Sequence, residues 1–262
     1  MSSTAAKALS LLTHFSERTP EWGLSELARR SGLDKATVHR MLAVLMQAGL
    51  LEQQAETRLY RLGVGILRLA RIREATFPIT TIIGPILDRL TSETGETAHA
   101  SLLSGSELVT VAISESHKAN RVSLSAGEIL DLHSTASGLA TLAFSEPALA
   151  DRLLAQPLAQ HTPHTEIDPT RLRRLLSTAR SKGYAEADQT YEIEVYGIGA
   201  PIFDTRGLAC GAIGVATPVH RMTHRVKARI VARVVAAALE MTMKSGGQAP
   251  DRFNRIAADL AA

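Results

Sequence analysis

The stretch LSELARRSGLDKATVHRMLAVLMQAGLL, Leu24 to Leu51, decides how the rest of the chain is read. Leu24, Leu27 and Ala28 fall at i, i+3 and i+4 and so share one face of a helix. Small Ala28 permits a second helix to cross closely, and Gly32 supplies the positive φ that a sharp turn needs. Asp34 has the side chain of an N-cap for a second helix, whose Val38, Leu42, Leu45 and Met46 face inward. The residues left outward near its start are Lys35, Thr37, His39 and Arg40. A cationic, hydrogen-bonding helix start of that kind suits the DNA major groove. Spacing alone also permits an ordinary helical hairpin with a solvated Lys/Arg face.

The flanks extend this reading. Upstream, Ala8, Leu11, Leu12 and Phe15 form the apolar stripe of a helix from about Ala5, closed by Thr19-Pro20-Glu21, with Trp22 packing under the hairpin. Downstream of Gly49, two short alternating runs around Gln53–Thr57 read as a β-hairpin wing, with Arg58 and Arg61 placed for phosphate or minor groove. Residues 1–62 thus read as a winged helix-turn-helix DNA-binding domain. A linker helix follows over 63–77, its Ile66, Leu67, Leu69, Ala70 and Ile72 forming an apolar face that calls for a partner, most simply a second copy of the chain.

Charge distribution agrees. The 262-residue chain carries a formal net charge of only +3. Residues 1–75 hold 11 Lys/Arg against 7 Asp/Glu, whereas 76–262 hold 18 against 19, so the positive excess lies with the helix-turn-helix. Cys210 is the lone cysteine, which removes any intrachain disulfide and suits a reducing cytoplasm. No run of about 18 apolar residues suggests a membrane span, and no membrane partner is expected.

Residues 78–245 alternate helix and strand signals. A helix over about 79–94 precedes strands at 97–103 and 107–114 joined by Ser104-Gly105-Ser106, with a third strand expected at 121–125. A helix is expected from Ser134 to Phe144, others around 147–155 and 168–182, and a hairpin over 199–204 and 209–217 across Thr205-Arg206-Gly207. A long helix over 223–243 closes the domain. The pattern implies an α+β domain, an antiparallel sheet with helices against it. In the tail, 246–262, Phe253, Ile256, Ala257 and Leu260 recur at helical spacing and point to a last docking helix.

Three stretches carry a resemblance: SELARRSGLDKATVHRML, LHSTASGLATLAF, and GAPIFD with the apolar strand that ends in Thr217-Pro218. In this order they resemble the IclR family of bacterial transcriptional regulators over nearly the whole chain. The resemblance implies a profilin- or GAF-like effector-binding domain, dimers or dimers of dimers on a double-stranded DNA operator, and a small organic acid as effector. It places the backbone donors for the effector carboxylate at Ala136 and Ser137, with Val122, Leu130, Ala187, Asp188, Gly197, Gly214 and Ala216 as further lining positions. A Ser/Thr/Gly-rich helix start favours an anion on physical grounds as well, through accessible amides and the helix dipole.

The chain departs from the family where members that bind very small oxoacids place an acid, a cysteine and serines, since it has Ala187, Gly197, Gly214 and Ala216 there. Leu139 likewise stands where lysine is frequent. Removed side chains imply added volume and fewer polar anchors, hence a larger or flatter, less polar acid, with Tyr191 and Tyr196 as candidate aromatic lining. Two rival readings are weaker. His99, His117, His133 and Cys210 supply the chemistry of an enzyme but no catalytic motif. His161-x-x-His164 and His220-x-x-x-His224 are spaced for a metal but sit among prolines and threonines in expected loops. No cofactor, metal site or catalytic residue is expected.

Overall fold

The computed structural model describes residues 4–16, 19–76 and 78–261, and the chain divides into two compact units, 1–78 and 79–262. In the first unit, α1 (Thr4–Ser10) runs into a 3-10 turn over Leu11–His14. Then come β1 (Glu21–Trp22), α2 (Leu24–Ser31), α3 (Lys35–Gln47), β2 (Leu51–Gln53), β3 (Tyr60–Leu62) and α4 (Val64–Thr76). Gly32 ends α2 at φ 68°, the left-handed conformation that glycine adopts without a Cβ penalty. Asp34 then caps α3, its carboxylate accepting the Thr37 amide at 2.8 Å.

Leu11, Trp22, Leu27, Val38, Met41, Leu42, Leu45, Leu51 and Tyr60 are buried together as the core of this unit. Trp22 is fixed further by its indole N–H, which donates to the His14 carbonyl at 2.9 Å. The wing is wider than the expected hairpin, because β1 pairs with β3 to make a three-stranded sheet in the order β1-β3-β2. A two-residue strand is too short for an alternation pattern to reveal. No residue of α4 is buried: Val64 is 72%, Leu67 64% and Ile72 51% exposed. Phe77, the end of the expected linker, lies outside the described residues.

The second unit is built on one antiparallel six-stranded sheet. Its elements are α5 (Ile79–Thr94), β4 (Thr97–Ser104), β5 (Glu107–Ser114), β6 (Ile129–Leu130), α6 (Ala136–Phe144), α7 (Pro147–Leu154) and α8 (Pro169–Lys182). They continue with β7 (Ala185–Asp188), β8 (Val195–Phe203), β9 (Ala209–Pro218), α9 (His224–Lys244) and α10 (Asp251–Ala261). The strand order is β6-β5-β4-β9-β8-β7. One sheet face buries Ala98, Ala100, Ile198, Ile213 and Val215 against α5, α9 and α10. The other packs Leu108, Ala185 and Ala212 with α6, α7 and α8.

Two expectations need correction. The third strand is not 121–125, which is irregular, but Ile129–Leu130, paired with Val109 and Leu108. Residues 115–122 are instead held by side chains: Thr97 Oγ1 donates to the Val122 carbonyl, and the Ser116 hydroxyl to that of Gly95. β7 was not foreseen, being four residues of which two are alanine. The expected docking helix in 246–262 is α10, which sinks Phe253 between Phe144 and Phe203, with ring centroids 6.1 and 5.0 Å away.

Candidate functional site

The outer start of α3 presents Lys35, His39 and Arg40 to solvent, with Thr37 half-buried between them. Arg40 Nη2 donates to Thr37 Oγ1 at 3.3 Å, so two of the candidate base readers lean on each other. His39 also lines a groove of about 420 Å³, shared with the start of α2 and with Thr57 and Arg58 at the tip of the wing. Arg58 holds an exposed left-handed conformation at φ 60°, pinned where Gln53 Nε2 donates to its carbonyl at 2.8 Å. Arg61, on β3, is exposed but pairs with Glu52 across the strand at 2.5 Å. Of the two wing arginines, Arg58 is therefore the one that has no carboxylate bound to it among the described residues.

In the second unit the site is the start of α6 against the sheet. Thr135 caps the helix by accepting the Gly138 amide at 3.0 Å. By helix geometry the amides of Ala136 and Ser137, the first two, have no acceptor within the helix. Both residues are buried, 5% and 2% exposed. The helix begins at Ala136 rather than Ser134, because the Thr135 cap leaves Ser134 in the preceding turn.

Facing α6 are the alternate residues of the central strands: Thr97 and His99 on β4, Gly214 and Ala216 on β9, Gly197 and Gly199 on β8, and Ala187 on β7. Glycine is required for this approach, since a Cβ at Gly199 would lie 2.8 Å from the Ser137 nitrogen. A Cβ at Gly197 would lie 3.1 Å from that of Ala136. Val122 and Leu130 are buried nearby, Leu130 within the α6-side core. Asp188, the last residue of β7, is exposed.

The expectation that Gly214 leaves open volume fails. The space belongs to His99 and Ser137: a Cβ at Gly214 would meet Ser137 Oγ at 2.6 Å and His99 Cε1 at 2.7 Å. His99 Nε2 lies 3.0 Å from Ser137 Oγ, while its Nδ1 is buried without a partner, as is Ser134 Oγ. Burial pushes the His99 imidazole down to about 4, so it is neutral. Tyr196 does not line this face, because its hydroxyl donates to Glu186 on the side of α9, next to Lys227. Tyr191 meets His161 at a tilt of 56°, ring centroids 4.9 Å apart, and His161 pairs with Asp131.

The residues of the rival readings are dispersed. His133 Nε2 bonds the Ala159 carbonyl, Cys210 Sγ reaches the Ile202 carbonyl, and His117 is exposed. Among the described residues, no group of three or more His, Cys, Asp or Glu comes together to hold a metal ion. No described helix is long and apolar enough to cross a membrane.

A winged helix-turn-helix with a cationic recognition helix, joined in one chain to an α+β domain with a buried anion-type helix start, defines a ligand-responsive DNA-binding regulator. The chain belongs to the IclR family of bacterial transcriptional regulators. Residues 4–55 match the IclR helix-turn-helix domain and residues 75–243 the bacterial transcriptional regulator IclR C-terminal domain. The chain is 29% identical over 244 residues to the transcriptional repressor IclR of Escherichia coli, covering 92% of this chain and 89% of that one.

Among solved structures, an IclR regulator from Silicibacter is 42% identical at a TM-score of 0.90, with 96% of this chain and 99% of that chain covered. An IclR homologue from Microbacterium hydrocarbonoxydans, solved in complex with 4-hydroxybenzoate, is 25% identical at a TM-score of 0.76, with 93% and 99% covered. These relatives are regulators, and the chain is read as a transcription factor rather than an enzyme.

Proposed function

We propose that the protein is an operator-binding repressor of the bacterial cytoplasm, dimeric or a dimer of dimers, that responds to a small carboxylate-bearing, aromatic metabolite. Lys35, Thr37, His39 and Arg40 read the major groove, and Arg58 and Arg61 hold the backbone. The exposed apolar side chains of α4 support self-association, since Leu67, 64% exposed, and Ile72, 51% exposed, would leave water on pairing with a second copy. The repressor named in Escherichia coli supports the sign of regulation.

The observation that carries the ligand reading is the buried α6 start. Free amides at Ala136 and Ser137 sit at the positive end of a helix, in a wall of small residues from β7, β8 and β9. Val122, Leu130, Gly197 and Ala216 offer this wall little polarity, which favours a flat apolar body behind the carboxylate. Asp188 stands at its edge. The 4-hydroxybenzoate held by the Microbacterium homologue supports an aromatic acid.

The test is a footprint of the DNA upstream of the protein's own gene and its neighbours, with and without aromatic acids, beginning with benzoate and 4-hydroxybenzoate. Protection of a pseudo-palindrome that an acid releases is the expected result. Protection that no carboxylate alters, at millimolar concentration, contradicts the effector assignment. Light scattering that returns a monomer at micromolar concentration contradicts the assembly.

A further inference from the structure

We propose that His99 is a binding residue of the effector site, its Nδ1–H donating to the effector carboxylate beside the amides of Ala136 and Ser137. The inference rests on the acid effector of the preceding section. It concerns a residue that the family resemblance did not mark.

Four observations converge on His99. The side chain is 7% exposed and projects from β4 toward α6, where Nε2 lies 3.0 Å from Ser137 Oγ. Ser137 therefore contributes an amide to the helix start and, through its hydroxyl, the prop for the imidazole. Gly214 directly opposite has no side chain, and a Cβ there would sit 2.9 Å from Nε2 and 2.6 Å from Ser137 Oγ. Two residues further along β9, Ala216, opposite Thr97, is again small, so the same face of the sheet carries little bulk next to this ring.

The fourth observation is the orphan. Nδ1 is buried with no hydrogen-bond partner, as is Ser134 Oγ, two residues before the helix. A buried polar atom left unpaired costs free energy that an apolar residue of the same size would avoid. Thr217 Oγ1 is a third such atom, but its position on β9 alternates to the opposite face of the sheet. Of the three such atoms among the described residues, His99 Nδ1 and Ser134 Oγ belong to side chains beside the start of α6, where helix amides are also without acceptors.

The chemistry selects the ligand atom. The ring is neutral, so one nitrogen carries the proton and the other accepts. When Ser137 donates its hydroxyl to Nε2, Nδ1 becomes a donor. Three N–H groups beside the start of α6, those of Ala136, Ser137 and the imidazole, are then left for a ligand to accept. A carboxylate has two oxygens and lone pairs for all three. Recognition of the acid end by His99 leaves the ring of the effector for the apolar wall.

Isosteric variants test this directly. In His99→Asn the amide nitrogen falls close to the Nδ1 position, whereas in His99→Gln it falls close to Nε2. Calorimetric titration with benzoate and 4-hydroxybenzoate should find Asn within about fivefold of the parent protein and Gln weakened at least tenfold, about 1.4 kcal/mol. 4-Hydroxybenzamide, which lacks the charge, should bind all three proteins equally poorly.

Gln binding as tightly as the parent, or Asn losing as much as Gln, overturns the proposal. A parent protein that binds none of benzoate, 4-hydroxybenzoate and pyruvate instead overturns the acid effector itself. Should the Gln variant fail to fold, the ¹⁵N resonance of His99 Nδ1 in the parent decides. It should shift on saturation with the acid, and a resonance that stays in place overturns the proposal.

Discussion

Gly65 donates its backbone N–H to the carbonyl of Gly49 at 2.9 Å, which ties the first turn of α4 to the end of the recognition helix. A Cβ on Gly65 would lie 2.5 Å from that same carbonyl oxygen. Gly65→Ala therefore has backbone, not a movable side chain, in its way. Overpacking of this kind costs about 1–3 kcal/mol. The expected outcome is a lower unfolding temperature for the N-terminal unit and weaker operator binding, with acid binding to the other unit unchanged. Gly65→Ala with parental DNA affinity would show that the direction of α4 is immaterial to the reading head.

Arginines on the recognition helix and the wing should separate by kind. Arg40, braced by Thr37 at 3.3 Å, sits where base edges are read, and Arg40→Ala should cost about 1–3 kcal/mol at the operator while relaxing preference at one base pair. Arg58→Ala should weaken all DNA alike and flatten the salt dependence by about one ion. Arg61→Ala should do less than Arg58→Ala, because Arg61 is already paired with Glu52 at 2.5 Å. Operator titrations at several salt concentrations distinguish the three. Equal salt slopes for the Arg58 and Arg61 variants contradict the ranking.

How far the sequence carried depended on period. Val38, Leu42 and Leu45 were legible because a helix repeats its face, and the same rule found Phe253 in the tail. β1 and β6, two residues each, have no period to detect. His99 was legible only as a lone histidine. Its meaning comes from Gly214 opposite and Ser137 on α6, 115 and 38 positions along, and sheet pairing alone brings those together. A glycine in an apolar strand reads equally as empty space or as room for a neighbour, and at Gly214 the neighbour was the answer.

Phe253 is fully buried and meets Phe203 and Phe144 edge-on at 5.0 and 6.1 Å. Phe253→Ala should destabilise the effector-binding unit by about 3–5 kcal/mol. Removal of residues 246–262 should be worse, since it also strips the Gly247 N–H from the Thr242 carbonyl, a 2.8 Å bond. Calorimetry of the full chain checks both. An effector-binding unit that melts unchanged without α10 contradicts the placement of Phe253 in its core.

Acid stability should carry two separable signatures. Burial holds His99 near 4 instead of the ordinary 6.5. Between those values the unfolded chain takes up a proton at this residue and the folded chain does not, so stability falls as pH drops from about 6.5 to 4. A shift of that size corresponds to at most about 3 kcal/mol, complete by pH 4. Glu96 behaves oppositely in cause. Burial works against its charge, but hydrogen bonds from Arg221 at 2.6 Å and Lys118 at 2.8 Å outweigh it and hold the carboxyl below its ordinary 4.5. Its contribution is present above about 4.5 and is lost only as pH falls beneath that value. His99→Asn should therefore flatten the loss between pH 6.5 and 4, whereas Glu96→Gln should lower stability at neutral pH and flatten the limb below 4.5. Denaturant unfolding across pH 3.5–7.5 resolves the two, and a His99 variant whose stability still falls between pH 6.5 and 4.5 by the parental amount contradicts a buried neutral imidazole.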